Sequence, residues 1–180
     1  MSKKSEAEAV ETLLDIEEIK RLKYRYMRCV DMKLWEEMET VFVPEATCAY
    51  SAGRYSYEGR DAIIEWLKKG MDRDGFHSTH SVHQPEIDFL PANSREAEGV
   101  EGRATGVWKI EDIVVDTDFD IVISGAAFYH DRYVKRGGVW LIEHTGYDRI
   151  WEQMESRKDR PSIKLTASMW TTGGASAIEA

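Results

Sequence analysis

Four separated stretches of this chain carry residues of the kinds that move protons. The run Tyr26-Met-Arg-Cys-Val-Asp31 holds a phenol and a carboxylate, and Ser-Thr-His80-Ser-Val-His83 holds two imidazoles. Asp112 follows Val-Trp108-Lys-Ile-Glu, and Arg149 follows Thr145-Gly-Tyr147-Asp. Brought together in an apolar cup, they would suit general acid–base chemistry. An imidazole takes and returns a proton near neutral pH, a carboxylate orients it, and a phenol donates to an oxygen that gains charge.

Each group also has a plainer structural reading. Asp31 lies five residues after Tyr26, about 140° around a regular helix at about 100° per residue, so the two converge only where the helix ends or bends. Asp31 could equally cap the helix that follows, and Tyr26 could be a core tyrosine with its hydroxyl at the edge. His80 and His83 are three apart, so on a strand they face opposite ways and only one can enter a cavity. That divergence, with neither Cys29 nor Cys48 spaced to help, leads us to expect no metal site. Asp112 shares a strand face with Trp108, Ile110 and Val114, where an acid must be paired or protonated, although a salt bridge at the rim would also satisfy it. Arg149 could form a structural ion pair, hold an anionic substrate tail, or grip Asp112 through a bidentate bond. No G-x-S-x-G, P-loop, G-x-G-x-x-G or C-x-x-C run occurs, so covalent serine chemistry, nucleotide phosphates and redox dithiols lack support.

The elements that must position these groups follow from periodicity. Apolar residues from Val10 through Leu13, Leu14, Ile19, Leu22 and Tyr26 to Val30 predict one long helix reaching about Met32. A second short helix is expected over Leu34–Phe42, ended by Pro44, and a third over Gly59–Met71. Ala46–Ser51 and Arg54–Tyr57 read as a hairpin around Gly53. Strands are expected over Ser78–Phe89, Ala97–Val115, Ile121–Val134 and Val139–Trp151, the last two joined by Arg136-Gly-Gly138. Residues 1–8 are expected to be disordered, 9–170 to form one domain, and 171–180 to be a flexible tail. The result is an α+β architecture: three helices on the concave face of a curved, mostly antiparallel sheet, with a cavity beneath helix 1.

The 180 residues are enough for one well-buried core. A formal charge of −9 argues against nucleic acid, which needs a basic surface. No apolar run approaches the ~20 residues of a membrane-spanning helix. The first residues lack the apolar stretch of a signal peptide, and two cysteines do not make a stapled scaffold, so a cytoplasmic protein is expected.

The chain resembles the SnoaL-like family of the nuclear-transport-factor-2-like superfamily, the cone-shaped, cystatin-like α+β roll. Within it, the sequence is most similar to the bile-acid 7α-dehydratases and more remotely to scytalone dehydratase. The resemblance spans roughly residues 14–170. It rests on Ile19–Asp31, His80-Ser-Val-His83-Gln-Pro-Glu-Ile87, Ala104–Asp112, Gly125-Ala-Ala-Phe-Tyr129 and Thr145-Gly-Tyr-Asp-Arg149-Ile150. It implies that Tyr26, Asp31, His80, Asp112 and Arg149 occupy the dehydratase's catalytic positions, with Asp31 and His80 as a dyad. Tyr50, Trp108, Tyr129 and Tyr147 would bind substrate, and His83 would support them. It further implies a cofactor-independent dehydratase acting on a hydrophobic, polycyclic steroid-like or aromatic polyketide-like hydroxy-ketone, in a homo-oligomeric trimer or dimer packed through the outer sheet face. A proton-shuttling isomerase and a non-catalytic binding module remain the alternatives. The loop Pro91–Gly102 is longer than in the dehydratases and Phe119–Ser124 differs, which bears on the cavity mouth.

Overall fold

A computed structural model describes residues 5–91, 94 and 99–178. In chain order the elements are α1 (Glu6–Asp31), α2 (Trp35–Met38), β1 (Phe42–Tyr50), β2 (Tyr55–Glu58), α3 (Arg60–Met71), β3 (Phe76–Phe89), β4 (Gly102–Asp116), β5 (Ile121–Arg136) and β6 (Val139–Ser156). The six strands form one curved, unclosed sheet in the order β2-β1-β6-β5-β4-β3. β1 and β6 run parallel and the other neighbours are antiparallel. α1 packs on β3 and β6, and α3 on β1, which gives the expected α+β roll.

α1 starts earlier than its apolar pattern suggests. The Ser5 hydroxyl accepts from the Glu8 amide at 3.2 Å while the Glu8 carboxylate accepts from the Ser5 amide at 2.7 Å, a reciprocal cap. Of the segment 1–8 expected to be disordered, residues 5–8 therefore form a capped first turn, and 1–4 lie outside the described residues. Val10, Leu13 and Leu14 are exposed, so the buried stripe of α1 begins only at Ile19. The helix stops where Met32 leaves helical geometry and Lys33 takes a positive φ of 54°. The second helix is a single turn rather than Leu34–Phe42. Phe42 already opens β1, and Pro44 sits within that strand instead of ending a helix.

Gly137 and Gly138 both have positive φ (57° and 76°), with Arg136 opposite Val139, the two-residue turn that matches strand twist. β5 runs to Arg136 and β6 to Ser156, longer than their apolar alternation indicated. β4 begins at Gly102 rather than Ala97; of the preceding segment, residues 92–93 and 95–98 lie outside the described residues. In the segment expected as a flexible tail, the Thr172 and Gly174 amides donate to the Ser168 carbonyl, both at 3.0 Å; residues 179–180 lie outside the description. The core between helices and sheet holds Ile19, Met38, Val41, Ile63, Val134 and Ile142, all fully buried. Cys29 and Cys48 are unpaired buried thiols, each pushed up to about 11 by burial. Among the described residues no helix is long and apolar enough to cross a membrane.

Candidate active site

Between α1, α3 and the concave face of the sheet lies a half-open cavity of about 620 Å³, counting the space at its mouth. Its wall is mainly apolar, from Met27, Val30, Leu67, Ile110 and Ala127 among others, and its polar groups are few. They form three sets.

The first joins the end of α1 to strand β3. Asp31 Oδ1 lies 2.5 Å from His80 Nδ1 and accepts from Ser78 Oγ at 2.8 Å, while Oδ2 accepts from the His80 backbone N–H at 2.9 Å. Three bonds from one strand fix the carboxylate, and the carboxylate fixes the ring. With Nδ1 committed to Asp31, Nε2 is the nitrogen that can exchange a proton with a molecule in the cavity. Asp31 is the last residue of α1 and does not line the cavity; it reaches the site through His80, so it need not share a helix face with Tyr26. The alternative role of Asp31 as a cap for the next helix is not used: α2 has no side-chain cap.

The second set is phenolic. Tyr26 and Tyr50, both buried, meet with their hydroxyls 2.8 Å apart. Tyr50 stacks on Trp66 at 5.4 Å and leans on Tyr147 at 5.8 Å, and Tyr129 lies 5.2 Å from Tyr147, so four tyrosines and a tryptophan make a rigid aromatic wall. Burial, reinforced by neighbouring phenols, pushes Tyr26, Tyr50 and Tyr129 well above the ordinary tyrosine range. These hydroxyls therefore stay protonated at neutral pH, and the Tyr26–Tyr50 pair, in which one donates to the other, keeps one proton to donate.

The third set is an ion pair. Arg149 grips buried Asp112 through both terminal nitrogens, Nη2 at 3.0 Å and Nη1 more closely. Burial opposes the guanidinium's charge, yet the bonds to Asp112 and its charge more than offset this and raise its pKa above the usual value. Asp112 stands directly across from His80 in the β3–β4 ladder, so the pair adjoins the dyad. The register of β5 against β6 shifts between Ala126 and Ala127, leaving Ile150 without a partner. This bulge brings Glu152 to 3.0 Å from Arg149 Nε. Gly125 leaves room for the guanidinium: a Cβ there would lie 2.8 Å from Arg149 Nη1 and 2.9 Å from the Trp151 carbonyl. With Asp112 and Glu152 around it, Arg149 is a poor site for an anionic substrate tail.

Eight of the ten residues singled out by sequence thus contribute to the site: Tyr26, Tyr50, His80, Asp112, Tyr129, Tyr147 and Arg149 line the cavity, and Asp31 holds His80. Two lie elsewhere. His83 is exposed opposite Lys109, on the other strand face as parity required. Trp108 has the inward parity expected of it but is fully buried away from the cavity, donating Nε1 to Tyr133 Oη at 2.8 Å. Strand parity fixes the face of a side chain and not its position along the cone. Three contributors were not anticipated: Ser78, Trp66 and Gly125. Ser78 was readable, since it shares the His80 face of β3; Trp66 and Gly125 depend on tertiary packing. Among the described residues no cluster of three or more His, Cys, Asp or Glu is arranged to hold a metal ion.

Comparison with known proteins agrees with this architecture. The profile of the SnoaL-like domain matches residues 11–146. A protein of Novosphingobium aromaticivorans, provisionally assigned as a scytalone dehydratase, superposes with a TM-score of 0.68 at 22% identity, over 79% of this chain and 88% of that one. The hexachlorocyclohexane dehydrochlorinase LinA-type3 of Novosphingobium barchaimii gives 0.69 at 15% identity, over 82% and 94%. ActVI-ORFA of Streptomyces coelicolor gives 0.60 at 14%, over 75% and 96%. At these identities the structural likenesses speak for the fold. The match over residues 11–146 places the chain in the SnoaL-like family.

Proposed function

We propose that this member of the SnoaL-like family is a cofactor-independent lyase that removes water from a hydrophobic, polycyclic hydroxy-ketone. The observation that carries the reading is the 2.5 Å bond from Asp31 to His80 Nδ1, which leaves Nε2 for a cavity that also presents the Tyr26–Tyr50 donors. One of these hydroxyls donates to the other, and the second would donate to the substrate carbonyl. His80 Nε2 would remove a proton from a carbon adjacent to, or conjugated with, that carbonyl, and the C–H electron pair would pass into an enolate. As the enolate collapses, its electrons expel the hydroxyl, which leaves as water on taking the proton back from His80. Preorganised donors to such an oxyanion are worth roughly 3–4 kcal/mol in a dry site. The Asp112–Arg149 pair, with its charges mutually satisfied, would position His80 and the departing hydroxyl.

The aromatic wall supports a flat ligand, and the crowded guanidinium favours one that is uncharged at that end. Two structural neighbours, one provisionally a dehydratase and the other a dehydrochlorinase, bear names that denote eliminations. Exposed Ile113, Phe128 and Trp151 on the outer face of the sheet support a homo-oligomer packed through that face.

The test is elimination of water from a 7α-hydroxy-3-oxo-Δ4 steroid and its thioester. His80→Ala and Asp31→Asn should each lower turnover by roughly 10²–10⁴-fold. Full turnover in both variants removes the dyad from the mechanism. A product of unchanged mass would instead assign the same residues to an isomerising proton shuttle, and a ligand released unchanged would leave only a binding protein.

A further inference from the structure

A second polar set lies on the same concave face, outside the cavity. Lys23 of α1 is fully buried, with Nζ 2.8 Å from Asp131 Oδ2 on β5, whose side chain is equally sealed. The Asp131 carboxylate also accepts from Tyr133 Oη at 2.6 Å and from Thr145 Oγ1 at 2.8 Å, and Tyr133 accepts from Trp108 Nε1. The ammonium is less completely served. The ion pair with Asp131 lacks the alignment of a hydrogen bond. Nζ rests instead 3.6 Å from the ring centroid of Tyr129 and 4.9 Å from that of Tyr26.

Those two rings line the cavity, whereas Tyr133, Thr145 and Asp131 do not. The ammonium end of the pair thus abuts the faces of two rings of the phenolic wall, while the Asp131 charge also reaches the hydroxyls of Tyr26, Tyr50 and Tyr129 and opposes their ionisation. A buried ion pair is a weak device for stability alone, since well-packed apolar residues of similar volume often do as well or better. Burial lowers the pKa of Lys23, and the Asp131 charge works to restore it.

We propose that the Lys23–Asp131 pair is a positioning element of the cavity: its ammonium end holds the rings of Tyr129 and Tyr26 in place and favours negative charge on an oxygen bound at the Tyr26–Tyr50 hydroxyl pair. This rests on the enolate reading of the site and adds to it a charge that never touches the ligand. An oxygen bound there meets both charges, and the ammonium must outweigh the carboxylate for an anion to be favoured; with an effective dielectric of about 20, a net preference of roughly three- to tenfold is expected.

The experiment uses 2-naphthol, whose neutral and ionised forms differ in absorption and fluorescence, so no turnover is needed. The full-length protein binds it across a pH series, and the affinities for the two forms are read separately. In the double variant Lys23→Met/Asp131→Asn, which leaves no lone buried charge, neutral naphthol should bind within about twofold of the unaltered protein, while the preference for naphtholate falls roughly three- to tenfold. Lys23→Arg, which keeps the charge, should retain most of that preference. An unchanged preference in a folded double variant overturns the proposal and leaves the enolate reading standing. No preference for naphtholate in the unaltered protein overturns both. Should the double variant not fold, the ¹⁵Nζ resonance of Lys23 in the unaltered protein decides: it should shift when naphtholate binds and stay put with the neutral form, and an equal response to both overturns the proposal.

Discussion

The concave face of the sheet carries two polar clusters built from the same strands, and they differ in what α1 and α3 place over them. Around Asp112, His80 and Arg149 the covering elements leave a void, and the polar groups are paired with one another yet reachable. Around Asp131, Tyr133 and Trp108 the side chains of α1 fill the space, and Lys23 supplies the counter-charge from within the core. Inward parity is common to both. What separates a reaction chamber from a structural network is the volume that helix side chains leave unfilled, and that is a property of layer packing rather than of any strand.

This contrast can be broken at either end. The largest effect is expected from Asp131→Asn, which leaves the Lys23 ammonium buried without its partner and should cost about 3–5 kcal/mol in urea unfolding. A loss under 1 kcal/mol would mean that water or a rearranged acid reaches Lys23, and the sealed end would not be sealed. At the open end, Tyr26→Phe should remove one donor and lower turnover on the hydroxy-ketone by about 10²–10³-fold, with a smaller change in stability. If it instead unfolds the protein while leaving specific activity intact, the two ends have been assigned the wrong way round.

Gly125→Ala probes the packing behind Arg149 at the open end. Its Cβ would press on Arg149 Nη1 and on the immobile Trp151 carbonyl, so we expect a loss of about 1–3 kcal/mol and a displaced guanidinium. Gly70→Ala in α3, where nothing lies within 4 Å, should raise stability by about 0.4–1 kcal/mol under the same assay. The smallest effect concerns Asp116, at the rim beyond the open end. Burial pushes its carboxyl up, but Arg73 and the amides of Asp118 and Phe119 outweigh this and hold its pKa below the usual 3.8. A depressed folded-state pKa adds stability that is present above about 3.8 and lost as pH falls through the lower value. Asp116→Asn should flatten that acid limb in urea titrations between about pH 5 and 2 and leave the neutral region's slope unchanged.

Much of this was legible in the chain. Period-two alternation put Asp112 inward, and the three-residue spacing of His80 and His83 required that they part company, as they do. The Gly-Gly turn and the extent of α3 were written locally. Other features needed the third dimension. Trp108 obeys its parity and still misses the cavity, because depth along the cone is set by which α1 side chain meets it. Lys23 could have been noticed: it stands within the buried stripe Ile19, Leu22, Tyr26, Met27, where a lysine asks for an acid. Asp131 shares the inward face of β5 with Tyr129 and Tyr133, and only the docking of α1 on that face reveals that the two answer each other. The bulge at Ile150 has no local signature either; it appears only when β6 is laid against β5.

One bond described above reaches beyond chemistry. β3 is a margin of the sheet, and the His80 amide that faces away from β4 is caught by the Asp31 carboxylate at 2.9 Å. The helix thus latches an otherwise loose hem, and the residue that aims the imidazole also keeps its strand from fraying. Gentle warming should accordingly silence the protein before it melts it: the hem lets go first, and with it the alignment of the ring.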